Sequence, residues 1–201
     1  MKKMVAVAAG LALMLALALA GCSQGATDEG SDAEPGQEAK ADAEAPVEQN
    51  DTTFDDEHSD FGLTYRVPAS WTKTDKGDTI SYFDPARTRQ IMLTRLDATD
   101  AYKAVEGMEG EAREQTLELL TVGAGMQGLV DAGIASNATT ASISGHAAVT
   151  ADLDGQDQIG RACTVLVDEE SYVLVTCGQS PSVANETPDL CDTFFEGLSV
   201  V

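Results

Sequence analysis

The chain has 201 residues, 34 of them acidic and 12 basic, for a formal net charge of −22. An acidic excess of this size argues against nucleic acid or an anionic membrane surface as partner, because phosphate binding needs clustered Lys and Arg. It suits a chain kept soluble by self-repulsion, and it would attract a cationic partner.

Lys2 and Lys3 form a short basic segment, and Met4 to Ala20 an apolar run of 17 residues. That is signal-peptide length and falls short of the roughly 20 apolar residues a spanning helix needs. No basic stop-transfer cluster follows. The run ends in Leu19-Ala20-Gly21-Cys22, which resembles the lipobox of bacterial lipoproteins. The resemblance implies cleavage after Gly21, a diacylglyceryl thioether on Cys22, and attachment to the extracytoplasmic face of a bacterial membrane. Two acyl chains anchor stably where one binds only marginally. Cleavage would remove two lysines and no acid, leaving 34 acidic residues against 10 basic ones.

Residues 22–60 read as a lipidated Cys followed by a disordered acidic tether. From Ser23 to Asp60 there are 13 acids and a single base, Lys40, before His58 is counted. Apolar residues are too few and too small to offset the entropy of ordering. Such a chain would span about 35 Å r.m.s., more if its charges repel. His58, within the acid run, is expected to be exposed.

Residues 61–201 make one domain, long enough for a single core. Leu63, Tyr65 and Val67 alternate with polar residues, the period of a half-buried strand. Pro68 stops it, and Pro68-Ala69-Ser70-Trp71 reads as a turn. After the Lys76-Gly77-Asp78 turn come strands at Thr79–Phe83 and Arg89–Leu96, antiparallel neighbours by their short connection. From Asp97 to Val130 the composition turns helical. Thr99 or Asp100 is the expected N-cap, Val105, Met108, Leu117, Leu120 and Ala124 fall at helical spacing, and weak points lie near Gly107–Gly110 and Gly123–Gly128.

Strands return at Thr139–Ile143, Ala147–Leu153, Ile159–Val167 and Tyr172–Cys177. Asp154-Gly155 marks one hairpin and Asp168–Ser171 another. A closing helix begins near Asp189, with Leu190, Phe194 and Leu198 at spacings of four. Two groups of strands separated by helix predict an α+β fold: an antiparallel sheet of about six to seven strands packed by helices.

Cys22 being committed to lipid, Cys163, Cys177 and Cys191 are an odd set for an oxidising compartment. A four-residue Asp168–Ser171 loop sets Cys163 opposite Thr176 and turns Cys177 to the other face, toward Cys191 on the closing helix. A Cys177–Cys191 disulfide is therefore favoured, with Cys163 a buried free thiol. A one-residue slip of the hairpin would instead make Cys163 and Cys177 direct neighbours.

The opening Phe61-Gly62-Leu63-Thr64-Tyr65-Arg66-Val67-Pro68-Ala69-Ser70-Trp71, the turn Ile143-Ser144-Gly145-His146-Ala147 and the terminal Phe194-Phe195-Glu196-Gly197-Leu198 are similar to the PsbP-type fold. That fold also occurs in small bacterial lipoproteins such as the mycobacterial LpqN type. The resemblance implies an antiparallel sheet with helices on its faces. It implies no shared activity, since members mostly act as accessory or binding proteins.

No catalytic constellation is legible, and no cofactor is implied. His146 follows a turn glycine, and neither a G-x-S-x-G elbow nor an H-E-x-x-H is present. Asp152-Leu153-Asp154-Gly155-Gln156-Asp157 invites a calcium reading, but its Gly comes too early and the twelfth position is Cys163. No C-x-x-C spacing supports zinc. Trp71, Tyr65, Tyr82 and Phe83 are expected in the core. The expectation is a non-enzymatic binding or accessory module with a protein or envelope partner. The alternatives are a small-ligand carrier, which would need a concave apolar pocket, and a lipid-anchored hydrolase, which would need His146 beside a carboxylate and a nucleophile.

Overall fold

The computed structural model describes residues 52–201. The expected signal peptide, Cys22 and most of the expected tether lie outside the described residues. Residues 54–60 do not: the segment assigned by composition to the tether forms β1 (Phe54–Asp60), antiparallel to β2 (Leu63–Pro68). Charge counting missed it because its acids face solvent or pair across the strands, as Glu57 does with Arg66 at 2.9 Å. Phe54 meanwhile packs on Phe194, with ring centroids 6.2 Å apart. The turn residues Phe61 and Gly62 both carry positive φ, which closes this hairpin in two residues.

A short β3 (Thr72–Asp75), which the sequence reading does not predict between its two turns, precedes β4 (Thr79–Phe83) and β5 (Arg89–Asp97). The helical region then divides. α1 (Thr99–Ala104) ends before Gly107, whose φ is +82°, and α2 (Gly110–Glu118) follows. The Asp97 carboxylate accepts the Thr99 N–H at 2.7 Å, so the side chain that ties down this helix start lies before the expected Thr99 or Asp100. At Gly123 the helix widens instead of breaking. Leu119–Gly123 is one π turn, continuing into α3 (Ala124–Asp131). Val122 O accepts the Thr164 hydroxyl at 2.7 Å, pinning that turn to the sheet. Gly125 permits the contact, because a Cβ there would stand 2.8 Å from the Tyr172 ring.

The remaining strands are β6 (Ala135–Ile143), β7 (His146–Asp154), β8 (Ile159–Leu166) and β9 (Ser171–Gln179). α4 (Leu190–Glu196) and β10 (Ser199–Val200) close the chain. Seven strands form one antiparallel sheet in the order β3-β4-β5-β9-β8-β7-β6, and β1-β2-β10 form a second. The result is the expected α+β class, with an additional small sheet.

Strand alternation divides the core. One face of the large sheet sends Ile91, Leu93, Cys163, Val165, Val173, Val175 and Cys177 against Leu63, Tyr65 and Val67 of β2 and Leu190 and Phe194 of α4. The other face sets Ala151, Leu153 and Ala162 under Met126 of α3.

The β8–β9 register corrects the sequence reading. Asp168 Oδ1 accepts the Glu170 N–H, the Ser171 N–H and the Ser171 hydroxyl, and Val167 N–H donates to Ser171 O. These bonds shorten the turn to three residues. Cys163 therefore lies opposite Val175 rather than Thr176, on the same face as Cys177. Cys177 is nonetheless bonded to Cys191, because α4 holds their Cα atoms 5.4 Å apart, while Cys163 is a buried free thiol.

A buried charge network secures the loop between β9 and α4. Arg89, 2% exposed, donates from Nη1 to Asp84 at 3.3 Å, from Nη2 to Glu186 at 2.9 Å and from Nε to the Thr187 hydroxyl at 3.1 Å. Asp84 also accepts the backbone N–H groups of Thr88 and Arg89 and the Thr88 hydroxyl.

Arg89→Ala strips the cation from a buried carboxylate and is expected to lower the unfolding free energy by about 3–5 kcal/mol. Urea denaturation will measure it, and Glu186→Gln, at a half-exposed position, should cost much less. Gly160, at φ +154°, lies opposite Gly178, and a Cβ there would fall on the Cys177 carbonyl oxygen. Gly160→Ala should accordingly cost about 2 kcal/mol or more in the same assay.

Candidate functional site

His146, the histidine weighed for catalysis, is exposed at the start of β7, with Nδ1 3.1 Å from Leu166 O. Its ring is thus engaged by backbone. Cys163 sits in the core and donates weakly to Thr164 O at 3.6 Å, so the two do not form a nucleophile–base pair. Burial pushes the Cys163 thiol up to about 12, which keeps it protonated and unreactive. Asp152 accepts Asn137 Nδ2 at 2.9 Å across the β6–β7 ladder. Among the described residues no three His, Cys, Asp or Glu side chains converge as a metal centre requires. Trp71, Tyr65 and Tyr82 are buried core residues, while Phe83 is half-buried beneath the Arg87 guanidinium.

Two constellations escape a reading of the sequence. The first joins β1 to β3 and β4. Tyr65 OH donates to Asp60 Oδ2 at 2.6 Å and lies 3.1 Å from Tyr82 OH; Lys73 Nζ reaches Asp60 at 3.2 Å. His58 lies against both tyrosine rings, at 5.8 and 5.1 Å, instead of standing free in solvent. Burial, then the bond to Asp60, drives Tyr65 far above the ordinary phenol range. Burial raises Tyr82 as well, against the opposing pull of Tyr65 and Lys73. Partial burial works against the Lys73 charge, but the Asp60 carboxylate and Tyr82 more than offset it, and its pKa rises. All these shifts hold the phenols protonated and the lysine charged. The cluster therefore fastens β1, and its phenols and lysine are held in forms that cannot accept a proton. Its only trace in the sequence is Phe54 and His58 four residues apart among acids, both on the inner side of a strand.

The second is a groove of about 370 Å³ over β6, β7 and β8 beside α4. Thr139, Thr150, Asp152 and Arg161 floor it, and Phe195 stands at its wall. Arg161 Nη1 pairs with Asp192 of α4 at 2.7 Å, both about half exposed. Arg161 is the sole Lys or Arg after Arg113, and it lies between Asp192 and Asp152, its partner in the β7–β8 ladder. The groove offers hydrogen-bonding groups on a rigid sheet, suited to recognising a polar ligand or chain segment. It lacks the enclosed apolar lining of a carrier. Among the described residues no helix is long and apolar enough to cross a membrane.

No family model and no curated protein matches the chain. Among solved structures, it is similar to the cyanobacterial PsbP protein CyanoP from Synechocystis sp. PCC 6803, at 14% identity over 72% of this chain and 91% of that one, with a TM-score of 0.49. It is also similar to LpqN of Mycobacterium tuberculosis, described as involved in cell envelope biogenesis, at 13% identity over 72% and 87%, with a TM-score of 0.37. A protein of unknown function from Pseudomonas aeruginosa, PA94, matches at 17% identity over 66% and 87%, with a TM-score of 0.35.

The thiol at Cys163 supplies a pH test. Above the ordinary value of 9.0 the unfolded chain releases this proton, while the folded chain keeps it until about 12. The unfolded state then binds fewer protons, so stability falls as pH rises through that window, by about 1.4 kcal/mol per unit from this group. Urea titrations from pH 8 to 11 should show a shallower decline for Cys163→Ala than for the parent. Iodoacetamide at pH 8 should label Cys163 only once the chain is unfolded.

Proposed function

We propose that this chain is a lipid-anchored extracytoplasmic lipoprotein, acting as a binding or accessory module for a protein or envelope partner. The observation that carries the reading is Leu19-Ala20-Gly21-Cys22 behind Lys2-Lys3 and an apolar run. The Cys177–Cys191 disulfide supports it, since such bonds persist in oxidising compartments. Cys22 carries the acyl chains, the acidic segment that follows serves as the tether, and the α+β domain from β1 onward meets the partner. The acidic surface disfavours nucleic acid.

Support for binding over catalysis comes from the protonated phenols, the inert Cys163 and the backbone-engaged His146. Cys22→Ala should abolish incorporation of radiolabelled palmitate and move the protein from the membrane to the soluble fraction. A variant that stays membrane-bound would overturn the anchoring. Cross-linking from membranes with the lipidated form should recover a partner. Recovery of none, together with turnover of a generic ester or peptide library, would sink the accessory role.

A further inference from the structure

The two edges of the seven-stranded sheet are unlike. β3, at one edge, is only four residues long, and Lys73 and Asp75 guard it. β6, at the other, has nine residues, Ala-Ser-Asn-Ala-Thr-Thr-Ala-Ser-Ile, without one charge or proline. From Asn137 to Ser142 every one of its residues is exposed. Natural sheets usually blunt such an edge with charge, proline or brevity, because its unpaired N–H and C=O groups template another strand. The bulge between Ser136 and Thr139, with Asn137 at φ +53°, confines the regular ladder to Thr139–Ile143. It therefore sets a register instead of closing the edge.

The second, independent observation is the groove. It opens on one face of this same strand: Thr139, Ala141 and Ile143 form its near side, and Asp152 and Arg161 lie beyond. A chain laid along β6 as a further strand would alternate its side chains, one set passing over the groove and the other toward solvent. Backbone bonds to the edge would provide adhesion, and the groove would select side chains. Charge decides which. Arg161, opposite Asp152 in the β7–β8 ladder, makes its ion pair with Asp192, so two carboxylates share one cation and Asp152 is hydrogen-bonded by the neutral Asn137. The groove thus favours Lys or Arg and disfavours acids. A second copy of so acidic a chain would meet repulsion at the same edge.

We propose that the free edge of β6 captures an extended, basic segment of a partner protein as an added strand, its alternate cationic side chains resting in the groove under α4. This rests on the accessory reading and names the surface and the kind of partner it uses.

The test uses the full lipidated chain in detergent and a fluorescent seven-residue peptide alternating lysine and valine. Its controls are a copy N-methylated at alternate backbone nitrogens and a glutamate–valine version. The lysine peptide should bind, and the outward amides within 139–143 should exchange about tenfold more slowly in its presence. Both controls should bind at least about tenfold more weakly. Thr140→Pro and Ala141→Pro are both made. Consecutive N–H groups point in opposite directions, so one variant removes an edge donor while leaving the β7 ladder intact. That variant should lose binding with its circular dichroism unchanged. Asp152→Asn should weaken the lysine peptide several-fold without unfolding the protein. Absence of binding, equal binding of the glutamate peptide, protection confined to residues outside 139–143, or slowing that grows with protein concentration alone (self-pairing) would each overturn the proposal. Membrane cross-links that survive in the edge variant would overturn it too while leaving the accessory reading in place.

Discussion

The three hydrogen bonds accepted by Asp168 Oδ1 set the register on which both layers of the core depend. β8 and β9 lie at the centre of the sheet, and every strand outside them takes its alternation from theirs. A slip of one residue would exchange the two faces of a strand. If β8 slipped against β9, Cys163 and Val165 would turn from β2 and α4 toward the helices, and Thr164 would lose Val122 O. The disulfide depends on the face that β9 presents. With Cys177 on the face that α4 covers, Cys191 meets it directly, and the closed loop of 14 residues contributes about 3 kcal/mol in the chain-entropy view.

Two buried polar systems then fasten what hydrophobic burial alone would leave loose. Arg89 reaches from β5 to Glu186 and Thr187, and so fixes the loop that delivers α4 to the sheet. Asp60, Tyr65, Tyr82 and Lys73 do the same for β1, joining an acid-rich strand to the large sheet through bonds that keep the phenols protonated and the lysine charged. Both systems are worth more for position than for net stability, since desolvation offsets much of the attraction of a buried ion pair. Neither reaches β6, the long uncharged edge of the sheet.

The limits of the sequence reading fall where local signals and tertiary ones conflict. Period-two alternation at Leu63–Val67 and Thr79–Phe83 and the spacing of Leu190, Phe194 and Leu198 were legible, because each segment buries one face. β1 was not. Six of its seven residues carry polar or acidic side chains, and only pairing with β2 and the shelter of two tyrosines make it a strand. β3 was missed for its brevity and its two charges. At Gly123–Gly128 low helix propensity was outweighed by the close approach of Gly125 to Tyr172, which needs a glycine and rewards the helix for keeping one. The β8–β9 turn was misjudged by one residue because loop length was counted from propensity, and a side-chain carboxylate decided it. Neither the groove nor the Asp60 cluster had a motif to betray it, since each is put together from single residues on several strands with no fixed spacing.

The sequence by itself determined the features that depend on composition and short-range order: an apolar run ending in Leu19-Ala20-Gly21-Cys22, a large acidic excess, α+β alternation, and three cysteines in the domain. These are local properties, and a window of a few residues contains all of their physics. Which side of a strand faces the core, where the folded chain begins, and which sheet edge stays open are settled only when distant elements compete for the same surface. The β8–β9 register rests on a local carboxylate at Asp168, whereas the guanidinium at Arg89 and the glycine contact at Gly125 act between residues that the chain order keeps apart.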